Sequence, residues 1–282
     1  MIRRRGLVLR HLFLIAAAFF AIYPTIWIIS ASINAVDNLA GARLIPAQLT
    51  TDNYSELFTN PLTPFARWLA NSWKISLIAA AGNLILAAFA AFAFSRLRFR
   101  GRRTGLISLL LVQVFPQFLG FIAIFLTLQA IGEVAPGFGL NTHGGLILVY
   151  LGGAIGFNTY LIKGFMDTIP ISLDEAAKID GASPTQVFAR VVFPLARPVL
   201  AVVFIITFTT IYSELLLATV ILSSAENFTL AIGMQQFSLS EYTARWGALS
   251  AAAILGSAPI VVTFLAAQRQ ILSGLTTGAV KG

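Results

Sequence analysis

Long apolar runs separated by short polar stretches make up most of the chain. Six of these runs reach about the ~20 residues that a helix needs to cross a ~30 Å hydrocarbon core. Helices are expected because lipid cannot hydrogen-bond to open backbone groups. The pattern therefore predicts an all-α membrane protein with six transmembrane helices in a single domain, residues 1–282. The predicted spans are about 12–34, 74–95, 106–131, 144–165, 198–222 and 246–267.

Composition and charge agree with a membrane location. Of 282 residues, 57% are hydrophobic and 11% are charged, against ~25% charged in soluble domains. A cytoplasmic N-terminus puts 15 of the 19 Lys and Arg residues inside and leaves Arg43, Arg67, Lys74 and Arg245 outside. The positive-inside rule thus predicts both termini cytoplasmic in a multi-pass inner-membrane protein. The net charge of +8 is then a topology signal, so we expect membrane lipid and no nucleic acid as a partner.

The first apolar run follows a basic start, as in a signal peptide. The run is longer than the ~7–15 residues of a signal-peptide core, so the sequence favours an uncleaved first helix.

A charged, amphipathic segment at about 166–197 interrupts the apolar pattern between the fourth and fifth predicted spans. Ser172 with Glu175 three residues later is typical of a capping box, and Gly181 is typical of a helix stop. Ser183 and Gln186 have the same capping-box spacing and predict the start of a second helix, with Pro184 at its first position. The sequence predicts two short helices joined by a turn at the cytoplasmic face. Such an element suits docking onto a soluble partner.

This segment also carries a family resemblance. Glu175-Ala176-Ala177, the following Gly181 and the run Val191–Pro194 resemble the EAA signature of ATP-binding-cassette importer permeases. The family usually ends the signature with Ile-x-Leu-Pro, whereas this chain has Val-Val-Phe-Pro. Leu69–Ser72 and Ala93–Phe99 are similar to the pattern of carbohydrate permeases. The remaining matches are to the smaller permease subunit (the MalG type) of maltose and maltodextrin importers: Gly139–Gly145, Ala231–Gln236, Ala267–Arg269, Gly274–Thr276 and Val280–Gly282.

The resemblance implies the fold and partners of a type I importer permease. The expected partners are a second permease subunit (MalF type), two ATP-binding cassette ATPase subunits and an extracytoplasmic sugar-binding protein. The sequence has no Gly-x-x-x-x-Gly-Lys run to cradle phosphate, so we expect the partners to hydrolyse ATP and this chain to be non-catalytic. His11 and His143 are isolated, and no metal or cofactor is expected.

The resemblance also assigns roles to three loops. It implies that the segment at 166–197, the coupling loop, docks onto the ATPases through Glu175, Ala176, Ala177, Asp180, Gly181 and Ala182. A capped surface helix with a glycine stop is the alternative that spacing alone leaves open. The outer loop 223–245 is expected to reach the sugar-binding protein, or else to be a plain connector. The cytoplasmic tail 268–282 is expected to insert between the ATPases, or else to be a disordered end.

Polar residues inside the spans are candidates for the translocation path. Glu214 is the acid placed well inside a predicted span, where carboxylates are costly. Sugar contact, a structural or gating role, and proton relay are all open for it. Gln113, Asn158 and Tyr212 are further candidates, with hydrogen bonding between helices as the alternative.

The expected function is the permease subunit of an ATP-driven, binding-protein-dependent sugar importer that works by alternating access. Maltose or maltodextrin is the expected substrate, with trehalose or another oligosaccharide as alternatives. An ion-coupled secondary transporter is the rival from another class, and would need paired intramembrane charges. A membrane enzyme would need a convergent set of titratable groups, which the sequence does not offer.

Overall fold

A computed structural model of the chain describes residues 2–36, 44–153, 155–238 and 244–279. Within these ranges the protein consists of fourteen α-helices and connecting turns, with no strand beyond an isolated bridge between Asn34 and Leu49. The prediction of an all-α protein is confirmed. The helices are α1 (Ile2–Ser32), α2 (Asp52–Thr59), α3 (Phe65–Arg96), α4 (Arg102–Val114), α5 (Phe121–Val134), α6 (His143–Gly153), α7 (Ile155–Met166), α8 (Ile171–Ile179), α9 (Pro184–Val187), α10 (Phe193–Leu195), α11 (Arg197–Tyr212), α12 (Leu216–Ile221), α13 (Leu230–Gln235) and α14 (Trp246–Ala279).

Four helical stretches of the described chain are long and apolar enough to cross a membrane: Arg10–Ser32, Phe65–Arg96, Gln117–Val134 and Trp246–Ile271. Two bent pairs raise the number to six if each pair is one span. One pair joins His143–Gly153 to Gly156–Met166 at 49°, and the other joins Pro184–Leu195 to Arg197–Tyr212 at 78°. The described part of the chain therefore offers four to six candidate spans.

The third predicted span, 106–131, is divided in the structure. Helix α4 ends at Val114, and after a 3₁₀ turn at Gln117–Gly120 helix α5 begins at Phe121. Pro116 causes the break because it has no N–H to donate and disfavours helical backbone at the preceding residue. Phe115 accordingly is extended, with φ −72° and ψ 129°.

The fifth predicted span, 198–222, is also interrupted. Helix α11 ends at Tyr212, and α12 begins only at Leu216. At the C-terminus, α14 continues to Ala279 through most of the segment predicted as a tail. Residues 239–243 of the predicted outer loop and 280–282 of the tail lie outside the described residues.

The chain divides into two compact units, and the first comprises residues 1–69 and 232–258. Its centre is the buried Trp68, whose ring meets Phe237 edge-on with centroids 6.3 Å apart. The Arg245 guanidinium lies 4.9 Å from the centroid of the Phe237 ring and forms an ion pair with Glu56. These contacts join the two chain segments of this unit.

The second unit comprises residues 70–231 and 259–282 and contains most of the candidate site. Its main apolar core forms where α3, α7, the coupling loop and α11 meet. Small residues on α3 let the other elements approach closely. The core includes Ala87, Ala88, Ala91, Phe92, Ile162, Met166, Ile169, Val187, Phe188, Val192, Ala196, Leu200 and Val203.

Candidate functional site

The turn of the coupling loop has a defined hydrogen-bonding pattern. After α8, the N–H of Gly181 donates to the carbonyl of Lys178 (3.0 Å), and the N–H of Ala182 donates to that of Ala177 (2.9 Å). This is the pattern of a Schellman motif, which needs a residue in the left-handed region. Gly181 provides it with φ +82°. The predicted helix stop at Gly181 is confirmed.

The second helix of the coupling loop begins as predicted. The Ser183 side chain accepts from the N–H of Gln186 (3.4 Å), and the N–H of Ser183 donates to the Gln186 side chain (2.7 Å). Pro184 occupies the first turn. Helix α9 then continues through a π-helical turn, Phe188–Val192, into α10. The reciprocal capping box at this position is confirmed.

The capping box predicted at Ser172 and Glu175 is wrong. Helix α8 begins at Ile171 with Pro170 as its N-cap and has no side-chain cap hydrogen bond. Pro170 is extended, with ψ 129°, and the helix starts directly after it. Ser172 is therefore already inside the first turn, two positions after the N-cap, where its hydroxyl cannot cap the helix.

The six residues predicted to dock an ATPase divide between two environments. Glu175, Ala176, Asp180 and Gly181 are exposed, whereas Ala177 and Ala182 are half-buried and pack against the core of the second unit. Ile179 is 86% exposed and lies three to four residues beyond Glu175 and Ala176, on the same helix face. The free surface of α8 thus combines a carboxylate, a small side chain and a bare aliphatic one. A protein partner can pack closely against such a face; the docking role itself stays a prediction.

Phe188 fastens the second helix of the coupling loop to the core. Its ring centroid lies 4.7 Å from that of Phe89, 5.1 Å from that of Phe92 and 5.6 Å from that of Phe193. Phe188 is 7% exposed. Because Phe89 and Phe92 belong to α3, the aromatic cluster joins the coupling loop to that helix.

A buried ion pair attaches α8, the first helix of the coupling loop, to α3. The Arg96 Nε, at the end of α3, lies 2.6 Å from the Asp174 Oδ2 in α8, with side chains 7% and 4% exposed. The Arg96 Nη2 also donates to the Ile169 carbonyl at 2.8 Å. The sequence analysis missed this pair, because 78 positions separate the two residues and neither has a local pattern that points to the other.

A second polar group lies beside this pair. The Ser95 hydroxyl donates to Asp167 Oδ1 at 2.7 Å, and Lys163 Nζ contacts Asp167 Oδ2 at 2.5 Å. Partial burial opposes ionisation of Asp167, but hydrogen bonds from Lys163 and Ser95 outweigh it and lower the pKa of its carboxyl. Arg102 donates to the carbonyls of Phe94 and Ser95, two acceptors in the last turn of α3.

Glu214 lies in the break between α11 and α12. Its carboxylate accepts the N–H of Leu217 (2.8 Å), the N–H of Ala218 (3.0 Å) and the hydroxyl of Tyr150 (2.7 Å). The side chain therefore caps the N-terminus of α12, where a negative charge is favourable. These bonds satisfy backbone donors that the helix break leaves free.

Asn158 belongs to a buried polar cluster between helices. Its side-chain amide donates to Asn83 Oδ1 (2.7 Å) and to the Thr207 hydroxyl (2.9 Å). Asn83 in turn donates to the carbonyl of Leu151 (3.2 Å). The exposed fractions of Asn83, Asn158 and Thr207 are 0%, 3% and 4%, so this cluster bonds α3, α6, α7 and α11 to one another.

The two remaining path candidates also contact neighbouring groups. Gln113 donates to the carbonyl of Gly153 (2.8 Å), at the end of α6 where the helix bends. Tyr212 is 5% exposed and stacks on Phe208 with ring centroids 5.7 Å apart. All four candidates thus have structural contacts, and their place on a translocation path remains a prediction.

A further polar cluster connects the segment around Asn141 to the loop at residues 223–227. The Asn141 Oδ1 accepts the N–H groups of Ser223 and Ser224 (both 3.0 Å) and the Ser224 hydroxyl (3.1 Å). The Asn227 side chain donates to the Asn141 carbonyl (2.7 Å), and His143 Nε2 lies 3.0 Å from the Asn227 carbonyl. Asn141 has φ 54°, a left-handed conformation that asparagine tolerates better than most residues.

Asn71 and Ser72 hold the next part of the same loop. The Asn71 amide donates to the carbonyls of Glu226 (2.9 Å) and Phe228 (3.0 Å), and the Ser72 hydroxyl accepts the N–H of Leu230 (2.6 Å). The motifs around residues 71, 141 and 223–230, distant in sequence, are therefore one connected structure.

Comparison with known proteins agrees with this arrangement. Residues 83–276 match the family described as "Binding-protein-dependent transport system inner membrane component". The chain belongs to this family. The permease is accordingly an inner-membrane transport component, and the coupling loop, Glu214, Asn158 and the Asn141 contacts all lie within the matched region.

Similar proteins align over almost the entire permease. It is 41% identical over 277 residues to the galactooligosaccharides transport system permease protein GanQ of Bacillus subtilis (strain 168), covering 98% of this chain and 96% of that protein. It is 39% identical over 291 residues to the maltose/maltodextrin transport system permease protein MalG of Escherichia coli (strain K12), covering 99% and 97%. MalG of Photorhabdus laumondii is 40% identical over 283 residues, covering 96% and 95%.

The permease also has the fold of a solved importer subunit. A chain of a bacterial ABC transporter involved in the import of the acidic polysaccharide alginate superposes with a TM-score of 0.77, covering 94% of this permease and 96% of that chain. The sequence identity is 23%, so this likeness establishes the fold. The predicted permease fold is confirmed.

Proposed function

We propose that this chain is the permease subunit of an ATP-driven importer of neutral oligosaccharides, and that the whole chain acts as one transmembrane domain. Maltose and maltodextrin are the proposed substrates, since MalG proteins are among its similar relatives. GanQ, at comparable identity, supports a wider oligosaccharide class. Trehalose or another oligosaccharide remains the alternative. The chain itself is non-catalytic in this proposal.

The observation that carries the proposal is the free surface of α8. Both coupling-loop helices are fastened to the permease on one side, through Phe188 and Asp174. The other side leaves Glu175, Ala176 and Ile179 exposed. The small Ala176 side chain lets a partner approach α8 closely, and a partner that covers Ile179 would remove its apolar surface from water. The proposed partner is the pair of ATP-binding cassette ATPases, with a second permease of the MalF type and a sugar-binding protein completing the importer.

The proposed mechanism is alternating access. ATPase closure moves the docked coupling loop, and the ATP-bound partner binds the outward-open state more tightly, which shifts the permease toward that state. Sugar then enters from the binding protein, and reopening releases it into the cytoplasm. The orientation that this requires, with both termini and the coupling loop cytoplasmic, is supported by the 15 Lys and Arg residues on that side.

An ion-coupled transporter has less support. Its proton or ion site would be expected at a free intramembrane charge, but the Glu214 carboxylate accepts two backbone N–H groups and the Tyr150 hydroxyl. These contacts support a structural role for Glu214 as the cap of α12.

Cysteine labelling tests the docking surface. The sequence contains no cysteine, so Ile179→Cys gives one labelling site. Leu62→Cys is the matched control: Leu62 is 83% exposed and lies between the first two predicted spans, on the outer side in the proposed orientation. With the complete importer in cells, a membrane-impermeant maleimide should label Leu62→Cys but not Ile179→Cys from outside. In inverted vesicles Ile179→Cys should react, and the assembled ATPases should protect it. Labelling of Ile179→Cys from outside the cell would contradict the proposal.

Transport assays test the substrate. The binding protein must reach the outer side of the permease and ATP must reach the cytoplasmic side. Proteoliposomes with enclosed ATP and external binding protein meet both conditions. We expect ATP-dependent uptake of maltose and maltotriose, with a galactooligosaccharide and trehalose as competitors. Uptake that persists without ATP or without the ATPases would refute an ATP-driven importer.

A further inference from the structure

Helix α8 has one fully buried side chain, and that side chain is charged. Among the residues of this helix only Asp174 is buried. Its carboxylate lies against the Arg96 guanidinium at the end of α3, with Nε and Oδ2 2.6 Å apart. The neighbouring helix of the coupling loop is held differently, by Val187, Phe188 and Val192 in the apolar core. The two helices of the loop therefore have separate attachments of different chemistry.

The Arg96 side chain bonds to two successive parts of the coupling loop. Besides Asp174, it donates from Nη2 to the Ile169 carbonyl at 2.8 Å, just before α8 begins. Its Nη1 also donates to the Ser95 hydroxyl at 3.3 Å, and that hydroxyl donates to Asp167. One guanidinium thus fixes both the entry to α8 and its first turn to the last turn of α3.

A buried ion pair fixes the relative position of two helices more clearly than it stabilises the fold. Taking both charges out of water costs free energy that the pair only partly recovers, and an apolar contact of the same size is often as stable. Neither Asp174 Oδ1 nor Arg96 Nε makes a hydrogen bond in the described ranges, so the Nε–Oδ2 contact is a contact of opposite charges, and Arg96 is the cation that neutralises this carboxylate. Removing either partner would leave the other buried without its counter-charge.

We propose that Arg96 and Asp174 are positioning residues that make α8 move as one body with α3, and so transmit ATPase movement into the membrane-spanning part of the permease. The inference rests on the proposed function, in which the free side of α8 docks onto the ATPases. Phe188 attaches the second helix to α3 through apolar contacts with Phe89 and Phe92, which tolerate small shifts. The ion pair and the Ile169 bond fix the first helix to α3 at defined atoms.

The test uses the complete importer, with its ATPases, second permease and binding protein, in proteoliposomes. The variants are Asp174→Asn, Arg96→Gln and the exchanged pair Arg96→Asp with Asp174→Arg. Arg100→Gln, which neutralises an exposed arginine four residues after Arg96 and outside the coupling loop, is the matched control. Three quantities are measured for each variant: the ATPase recovered with the permease, ATP hydrolysis, and sugar imported per ATP hydrolysed.

We expect Asp174→Asn to keep its ATPases and to hydrolyse ATP, while sugar imported per ATP falls by at least about threefold, the lower range of single-site coupling effects. The exchanged pair should recover part of this ratio, and Arg100→Gln should keep the wild-type ratio. A purely structural role would lower the amount of complex and both rates together, leaving the ratio unchanged.

If Asp174→Asn imports as much sugar per ATP as the wild type, the inference is overturned. If Arg96→Gln does not accumulate in the membrane, the result for Asp174→Asn alone decides the test. Loss of ATPase from Asp174→Asn while Arg100→Gln keeps it also overturns the inference, because the pair would then maintain the docking surface. Absence of ATP-driven uptake by the wild-type complex overturns the proposed function itself, a result distinct from failure of the variants.

Discussion

Replacing Gly181 by alanine changes the backbone preference of the coupling-loop turn without changing its side-chain contacts. Gly181 has φ +82°, and an added Cβ would meet no atom within 4 Å. A non-glycine residue in the left-handed region costs about 1–2 kcal/mol. Because no steric clash adds to it, this strain is the whole expected effect on the folded turn.

The consequence for docking follows from that figure. If the ATPases bind only the Schellman conformation of the turn, strain of about 1–2 kcal/mol lowers their apparent affinity by up to about 5–30-fold. Gly181→Asn should lose less, under about fivefold, since asparagine enters the left-handed region more readily. Global stability should fall by about 1 kcal/mol or less, because alanine also reduces the conformational entropy of the unfolded chain.

Gly101 offers a matched control. It has φ +84° and likewise has open space around an added Cβ, but it lies outside the coupling loop. Titration of the purified ATPases onto the permease in nanodiscs measures the affinity, and thermal denaturation measures stability. Gly101→Ala should match Gly181→Ala in stability while binding the ATPases normally. Equal ATPase affinities for the two alanine variants would refute the role of the turn.

Three further predictions concern other contacts. Phe188→Ala should lower stability by about 3–5 kcal/mol, whereas Phe188→Leu should cost under about 1.5 kcal/mol; denaturation in mild detergent measures both, and a loss below about 1 kcal/mol for alanine would contradict the packing argument. Glu214→Gln should destabilise α12 by about 1–2 kcal/mol, because the neutral amide has one acceptor oxygen for the two N–H groups that the carboxylate caps; faster hydrogen exchange at Leu217 and Ala218 reports the loss, and unchanged exchange would show that the cap is dispensable. Asp167 has a lowered pKa in the folded protein, so its contribution to stability is present above the unfolded-state pKa and is lost as pH falls through the folded-state pKa. The difference in unfolding free energy between wild type and Asp167→Asn should therefore shrink on acidification. A difference that grows would contradict the sign assigned here.

Hydrophobic patterning predicted the long helices well because their signal is contained within one continuous segment. Helices α1, α3 and α14 contain almost all of the spans predicted at 12–34, 74–95 and 246–267. The breaks at Pro116 and at Ser213–Leu215 are harder to predict. An apolar run looks continuous when a distant side chain, such as Tyr150 bonding to Glu214, stabilises its interruption.

The candidate site shows the same division between local and distant information. The Gly181 stop and the Ser183 capping box are local motifs, and both form as predicted. Ser172 failed as a cap because Pro170 starts the helix earlier. Arg96 could be recognised in sequence only as one of several cytoplasmic arginines, since its pairing with Asp174 depends on the packing of α3 against the coupling loop.

The bonds of Asn141 limit how this permease can be recombined with its relatives. One side-chain oxygen fixes the backbone at Ser223 and Ser224, while Asn71 fixes it at Glu226 and Phe228. A chimera that imports residues 222–231 alone would bring a loop whose two anchors stay behind. The smallest exchangeable piece here is discontinuous, and loop grafts intended to change the cargo must carry the segments around residues 71 and 141 with them.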